Sequence, residues 1–330
     1  MQSRYPAGMV NAREPQWSPR EAAIAYNCAF RHDIDGNSLY DVCVSDAALS
    51  SLQRLTSEST ELGLRNPIWS PDGASLAFRH PDHGIVVANL HTGIEERYAE
   101  HYAVGTCAWS PDGQQIACSV SMGIALIALD SGEITFPRVP AESFEPQWAH
   151  HGTMVLYLHR RSSEPYQRDL FAVDLHTEES SRIANDVHTF AVANRGDAVV
   201  ITRHDQAILA WVDLTTGEQV SLLKRFTDCG IQQVQSPQWS PDDTMIAFTA
   251  TGAADGQRYG YVYSMNITTG TLYQHAAFER ATALTMSGPT WSPDGRQLAV
   301  TFSTTDIDSA ELTVVPVSFD SPISFPCLPS

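Results

Sequence analysis

Histidine and arginine gather at four places in this 330-residue chain: Arg31-His32-Asp33, Arg79-His80, His159-Arg160-Arg161 and Arg203-His204-Asp205. The chain has only 20 lysines and arginines against 38 acidic residues, a net charge of −18, so this clustering is an enrichment. Imidazole can move a proton near neutral pH or ligate a metal, and guanidinium presents a fixed fork of donors to a carboxylate or phosphate. The candidate ligand-binding residues are Arg31, His32, Arg79, His80, Glu145, His159, Arg160, His188, Arg203 and His204. A second candidate is Asp33-Ile34-Asp35-Gly36-Asn37 with Asp41, whose oxygens at alternate positions resemble the start of a calcium loop. It lacks the glycine at the sixth place (Ser38) and the bidentate glutamate at the twelfth (Val44), and a polar loop is the simpler account. No cofactor is required, and calcium or another divalent metal is the one the sequence leaves open.

What must position these residues is a repeated hairpin. Pro67-Ile68-Trp69-Ser70-Pro71-Asp72-Gly73 recurs as Trp109-Ser110-Pro111-Asp112-Gly113 and Trp291-Ser292-Pro293-Asp294-Gly295. Near copies stand at Trp17-Ser18-Pro19-Arg20, Trp239-Ser240-Pro241-Asp242-Asp243 and Trp148-Ala149-His150-His151-Gly152, and a worn copy at Val192-Ala193-Asn194-Arg195-Gly196. Proline presets φ, aspartate accepts local backbone hydrogen bonds and glycine supplies a positive φ, which is the chemistry of a tight turn between two strands. Equivalent positions fall at 17, 69, 109, 148, 192, 239 and 291, spacings of 39 to 52 residues, the period of a four-stranded propeller blade. A second turn recurs as His91-Thr92-Gly93, Asp130-Ser131-Gly132, Thr215-Thr216-Gly217 and Thr268-Thr269-Gly270. The expected fold is therefore all-β: one domain over 1–330, a seven-bladed β-propeller of four-stranded antiparallel blades, inner to outer strands A to D.

The N-terminal run Ser3-Arg4-Tyr5-Pro6 stands before its tryptophan as Gln53-Arg54-Leu55-Thr56 stands before Trp69, so it is expected to close the ring as strand D of the last blade. The rival, Ile323 to Leu328, is flanked and interrupted by prolines that suit a ladder poorly. Long B–C and D–A connections, such as 31–38, 57–65, 227–235 and 251–259, fall on one face of an up-and-down blade, and elaborated loops on a rigid scaffold are where binding usually lives. The four Arg/His clusters follow strand B on that same face. His80 and His159 both stand eleven residues after their tryptophan, and Arg203 matches them in blade five. Two blades apart in a seven-fold ring, such positions lie on the order of 20 Å from each other by strand spacing. That is too far for two imidazoles to share a metal at ~2 Å. Gln16, Gln147 and Gln238 precede the tryptophans on the innermost strand, where they either bond the neighbouring inner strand's backbone or, with Glu14 and Glu145, line the channel.

Charge argues against nucleic acid or an anionic membrane as partner. Six cysteines show no CxxC pair, and a chain of this size needs no disulfides to fold, so Cys28, Cys43, Cys107, Cys118, Cys229 and Cys327 are expected as reduced thiols. No apolar run reaches the length of a membrane span or a signal-peptide core. The expectation is a soluble monomer, cytoplasmic as written, or periplasmic or secreted if a leader has been removed.

The hairpin resembles the TolB-type, WD40-like β-propeller repeat over essentially the whole chain. That resemblance implies the fold, and it admits several functions, since similar repeats occur in TolB, in peptidase propellers and in oligogalacturonate lyases. No Gly-x-Ser-x-Gly elbow and no Gln/His metal cluster accompany it. The function expected is a non-catalytic binding or scaffold propeller that holds a protein partner or small ligand at the pore mouth. The alternative, implied by resemblance to the lyases, is a metal-assisted enzyme on acidic oligosaccharides. There Arg160, Arg161 and Arg203 would neutralise a uronate and His159 or His204 would abstract a proton.

Overall fold

The computed structural model describes residues 9, 11–32, 38–56, 66–161, 164–203, 206–223, 231–254, 257–279, 286–303, 310–320 and 322. Seven antiparallel sheets follow one another along the chain. Blade one is β1 (Asn11–Trp17), β2 (Ala23–His32), β3 (Ser38–Asp46) and β4 (Leu52–Arg54). Blade two is β5 (Ile68–Trp69), β6 (Ser75–His80), β7 (Gly84–Asn89) and β8 (Glu95–Tyr98). Blade three is β9 (Cys107–Trp109), β10 (Gln115–Val120), β11 (Gly123–Ala128) and β12 (Ile134–Thr135). Blade four is β13 (Ser143–Ala149), β14 (Met154–Arg161), β15 (Glu164–Asp174) and β16 (Ser180–Ala184). Blade five is β17 (Val187–Val192), β18 (Ala198–Arg203), β19 (Gln206–Asp213) and β20 (Gln219–Leu223). Blade six is β21 (Ile231–Trp239), β22 (Met245–Ala254), β23 (Gln257–Asn266) and β24 (Leu272–Glu279). Blade seven has three strands among the described residues: β25 (Met286–Trp291), β26 (Gln297–Phe302) and β27 (Glu311–Pro316). The seven-bladed, all-β expectation holds. Residues 3–6 and 323–328, the two candidates for the closing strand, lie outside the described residues, as do all or part of the long connections named above.

Two compact units divide the chain, Met1–Pro67 with Asp205–Ala210 and Ser221–Ser330, and Ile68–His204 with Trp211–Val220. Within each, blades pack face to face and the core lies between sheets. In the first unit Ala12, Trp17, Ile24, Tyr26 and Cys28 of blade one meet Ala299 and Leu312 of blade seven. The Ala12 N–H also donates to the Ala310 carbonyl at 2.9 Å. In the second unit Ile116, Val120 and Ile127 of blade three meet Ala77, Ile85 and Val87 of blade two.

The Ser-Pro-Asp-Gly turn works as a relay. The Ser110 hydroxyl, almost wholly buried, donates to Asp112 Oδ1 at 2.6 Å and accepts the Gln115 N–H at 2.9 Å. Asp112 Oδ1 then accepts the Gln114 N–H at 3.0 Å, and Gly113 closes the turn at φ 72° by donating to the Ser110 carbonyl. Ser70, Ser240 and Ser292 repeat the same geometry. The tryptophan before the turn stitches blades together. Trp109 Nε1 donates to the Ile68 carbonyl, Trp148 Nε1 to that of Ala108 and Trp291 Nε1 to that of Gln238, each acceptor being the residue before a neighbouring blade's tryptophan.

The cysteine expectation is corrected. Cys28 of β2 and Cys43 of β3 form a disulfide, and so do Cys107 of β9 and Cys118 of β10. Both join adjacent strands of one blade, and Cys107 and Cys118 are direct register partners. At separations of 15 and 11 residues neither looks like a CxxC motif, because hairpin register rather than sequence proximity brings the thiols together. Cys229 and Cys327 lie outside the described residues.

Candidate functional site

A proline two residues before the tryptophan shapes the inner strand of blades one, four, six and seven. In β1, β13, β21 and β25 the ladder register breaks by a bulge just ahead of it. The residue before that proline takes a positive φ: 51° at Glu14, 52° at Glu145, 51° at Ser236 and 91° at Gly288. A bulge bends the strand and re-aims one side chain. The strained N–H finds a partner on the preceding blade, Glu14 donating to Ser287 Oγ and Glu145 to Thr106 Oγ1, both at 3.1 Å. Burial pushes the Glu14 carboxyl up, with Arg13 pulling it partly back. The Gln147 side chain donates to the Phe190 carbonyl and accepts the Val192 N–H, so it braces the adjacent inner strand.

At blade four this bulge brings Glu145 beside a basic cluster. β14 and β15 form a long hairpin in which Arg160 lies directly opposite Arg168. Both guanidinium groups sit over the Phe144 ring, at 5.3 and 5.8 Å from its centroid. Arg168 Nη1 is 3.9 Å from Glu145 Oε1, and its Nη2 is 2.9 Å from His188 Nδ1. Arginine can only donate, so His188 Nδ1 accepts and its ring proton stands on Nε2. Two like charges directly opposite in a ladder repel. Here they are offset by the face of one aromatic ring and one half-exposed carboxylate at ion-pair distance. Arg160 is exposed and makes no ion pair among the described residues. The arrangement is a fork of cationic donors at a blade edge, suited to a carboxylate or another oxyanion.

Strand alternation sends His159 to the other face, where its ring meets Phe171 edge-on at 6.1 Å and its buried Nδ1 has no hydrogen-bond partner among the described residues. Arg161 is taken by Asp169, through Nε at 3.0 Å and Nη2 at 2.7 Å. Asp169 also accepts the Asp186 N–H, and Arg182 approaches it at 3.8 Å. Burial works against ionising Asp169, but Arg161, the Asp186 N–H and Arg182 together hold its carboxyl below the usual range. Arg203 donates to the Asn185 carbonyl. His80 stacks on His83 at 4.4 Å, and its Nδ1 accepts the Asp82 N–H within its own turn. The structure therefore gathers Glu145, Arg160 and His188, leaves Arg79 and His80 on blade two, and keeps Arg203 at its own strand end. The side chains of Arg31 and His32, and all of His204, lie outside the described residues. Sequence reading missed Arg168 and Phe144. Arg168 is on strand C, whose register with strand B a count from the tryptophan does not reach.

Of the calcium candidates, Asp33, Asp35 and Asn37 lie outside the described residues. Asp41 is inside β3 with its side chain 1% exposed, and its carboxylate receives Arg54 Nε at 2.8 Å and the Thr56 hydroxyl at 2.9 Å. Among the described residues no three His, Cys, Asp or Glu side chains come together as a metal site, and no helix is long and apolar enough to cross a membrane.

A seven-bladed propeller built on a Pro-x-Trp-Ser-Pro-Asp hairpin defines the class. The chain belongs to the TolB beta propeller domain family, which matches residues 22–259. No curated protein matches it. Among solved structures, an oligogalacturonate lyase in complex with manganese is similar at TM-score 0.72 and 13% identity, over 96% of this chain and 93% of that one. The Cps50 (Swd1) β-propeller domain of Myceliophteria thermophila is similar at TM-score 0.64 and 13% identity, over 95% of this chain and 100% of that one. A chain of the mitotic checkpoint complex is similar at TM-score 0.64 and 17% identity, over 96% and 93%. At these identities the likeness shows the fold.

Proposed function

We propose that this propeller is a non-catalytic binding protein that holds an anionic group, a carboxylate above all, of a protein partner or small ligand at the Arg160–Arg168 pair. The observation that carries the reading is the pair itself: two guanidinium groups opposite each other over Phe144, with one carboxylate nearby, in a chain of net charge −18. Binding of citrate or a glutamate-rich peptide, followed by calorimetry, is expected to weaken about tenfold or more in Arg160→Ala with Arg168→Ala, with steep salt dependence. Arg160→Ala alone should leave the melting temperature unchanged, since that side chain is exposed. Equal binding by wild type and double variant would sink the proposal.

The second reading is a lyase on acidic oligosaccharides, which the neutral His188 beside Arg168 favours, because a base next to a carboxylate-neutralising cation is what proton abstraction from a uronate needs. Ultraviolet-absorbing unsaturated product from oligogalacturonate, with and without manganese, would establish that reading over the first. The two disulfides support a periplasmic or extracellular setting, because such bonds persist in oxidising compartments. Thiol titration of unfolded protein from the native host, before and after reduction, should release four more thiols after reduction, and no increase would overturn this placement.

A further inference from the structure

A cavity of about 640 Å³ opens within blades six and seven, on the side of their Ser-Pro-Asp turns. Its size falls in the range of small-ligand sites. Three aromatic side chains wall it: Trp291 from the end of β25, Tyr273 from β24, and Phe319 from the segment after β27. Phe319 is 48% exposed, high for so large an apolar ring, and packs edge-on against Tyr273 at 5.1 Å. Met245 adds a further apolar surface.

Two carboxylates face the same space, Asp242 and Asp294 of the turns of blades six and seven. Each spends Oδ1 on its own turn: Asp242 on Ser240 and Thr244, Asp294 on Ser292 and the Arg296 N–H. No hydrogen bond to Oδ2 of either is found among the described residues. Hydrogen bonds from Ser240 and Ser292, ahead of every other cause, hold both groups below the usual carboxylate range, so both are ionised at neutral pH. Arg296 supplies one positive charge at the rim, which leaves an excess of one negative charge.

Aromatic faces and carboxylates together favour a cation that carries its own apolar body, because the ring quadrupole and the anions attract the charge while the rings cover the stem. We infer that the cavity bounded by Trp291, Tyr273, Phe319, Asp242 and Asp294 binds an ammonium or guanidinium group on an apolar stem. The source is either a free amine or a lysine or arginine side chain of a peptide.

The test uses the full chain and ligand-observed NMR with pentylamine and pentylguanidine, against pentanol and pentanoate as neutral and anionic controls. The cations should bind at least about tenfold tighter than both controls. Asp242→Asn with Asp294→Asn keeps the turn acceptors and removes both charges, and should cost about tenfold in affinity for the cations while leaving pentanol unchanged. Phe319→Ala, an exposed position that should not disturb folding, should weaken all stemmed ligands several-fold. A blocked Ala-Arg-Ala peptide binding as tightly as pentylguanidine identifies a peptide source, and its failure to bind alongside tight pentylamine identifies a free amine. Cations binding no better than pentanol, or equally well to the folded double Asn variant, would overturn the inference.

Discussion

Replacing Arg54 by methionine is expected to lower the free energy of unfolding by about 3–5 kcal/mol, because it strands a buried carboxylate without its cation. The Asp41 side chain is 1% exposed and that of Arg54 34%. Arg54 reaches the carboxylate through both Nε and Nη2 and lies over the Phe30 ring at 5.0 Å. Removing the acid instead is the smaller loss. In Asp41→Asn the released guanidinium already has a third of its surface in water, and Thr56 keeps a hydrogen-bonding partner, so about 1–2 kcal/mol is expected. The double variant should cost less than the two single losses together. Denaturant unfolding of the four proteins reads this order directly. Equal small losses would show the pair to be idle. If calcium raised the melting temperature of wild type but not of Asp41→Asn, Asp41 would belong to a metal loop with Asp33, Asp35 and Asn37 instead.

What was legible in the sequence was what the backbone dictates locally. Ser110, Pro111, Asp112 and Gly113 fill four different places in one turn, and in the structure they serve in order as buried relay, preset φ, local acceptor and positive φ. The tryptophans were legible as packing, and Gln147 as a brace to the next inner strand. What escaped depends on register between strands. Arg168 becomes the partner of Arg160 only through the β14–β15 ladder, and Cys107 meets Cys118 only through β9–β10. His159 and Arg160 are neighbours in sequence and share one basic cluster there, yet the period of two in a strand sends them to opposite faces. One lands on Phe171, the other over Phe144. Counting parity along β14 from the buried Tyr157 could have separated them. The bulge at Glu145 also had a signal, the proline that follows it, since proline cannot donate to a ladder and Pro-x-Trp stands at the bulges of β1, β13, β21 and β25.

Stability is expected to peak near pH 5 and to fall steeply below about pH 4, where ordinary carboxylates protonate. Two opposing effects decide this. A net charge of −18 at neutrality repels itself, and acidification toward the isoelectric point near 4.9 relieves that repulsion. Burial also raises Glu14, whose ionised form costs stability above its unfolded value, so protonating it helps the fold slightly on the way down. Against this stand seven aspartates whose folded carboxyls are depressed. Asp46 is lowered to about 2, chiefly by the Ser50 hydroxyl and N–H. Asp112, Asp242 and Asp294 are lowered first by their turn serines, and Asp174 and Asp213 first by the N–H groups of Thr177 and Thr216. Burial opposes the charge on Asp169, and Arg161 with its neighbours overcomes it. A depressed folded value means that the stability these groups contribute is fully present above the unfolded value, near 3.9, and is lost as pH falls through the folded values. Seven such groups outweigh one raised glutamate, and by then the repulsion has already been relieved. Denaturant midpoints from about pH 7 down to about pH 2 should therefore rise slightly, then drop. Replacing Asp112, Asp242 and Asp294 together by asparagine keeps each Oδ1 acceptor but cannot titrate. That variant should be somewhat weaker at neutral pH and lose less on acidification than wild type. An acid limb of the same steepness in both would show that the turn carboxylates are not what fails in acid.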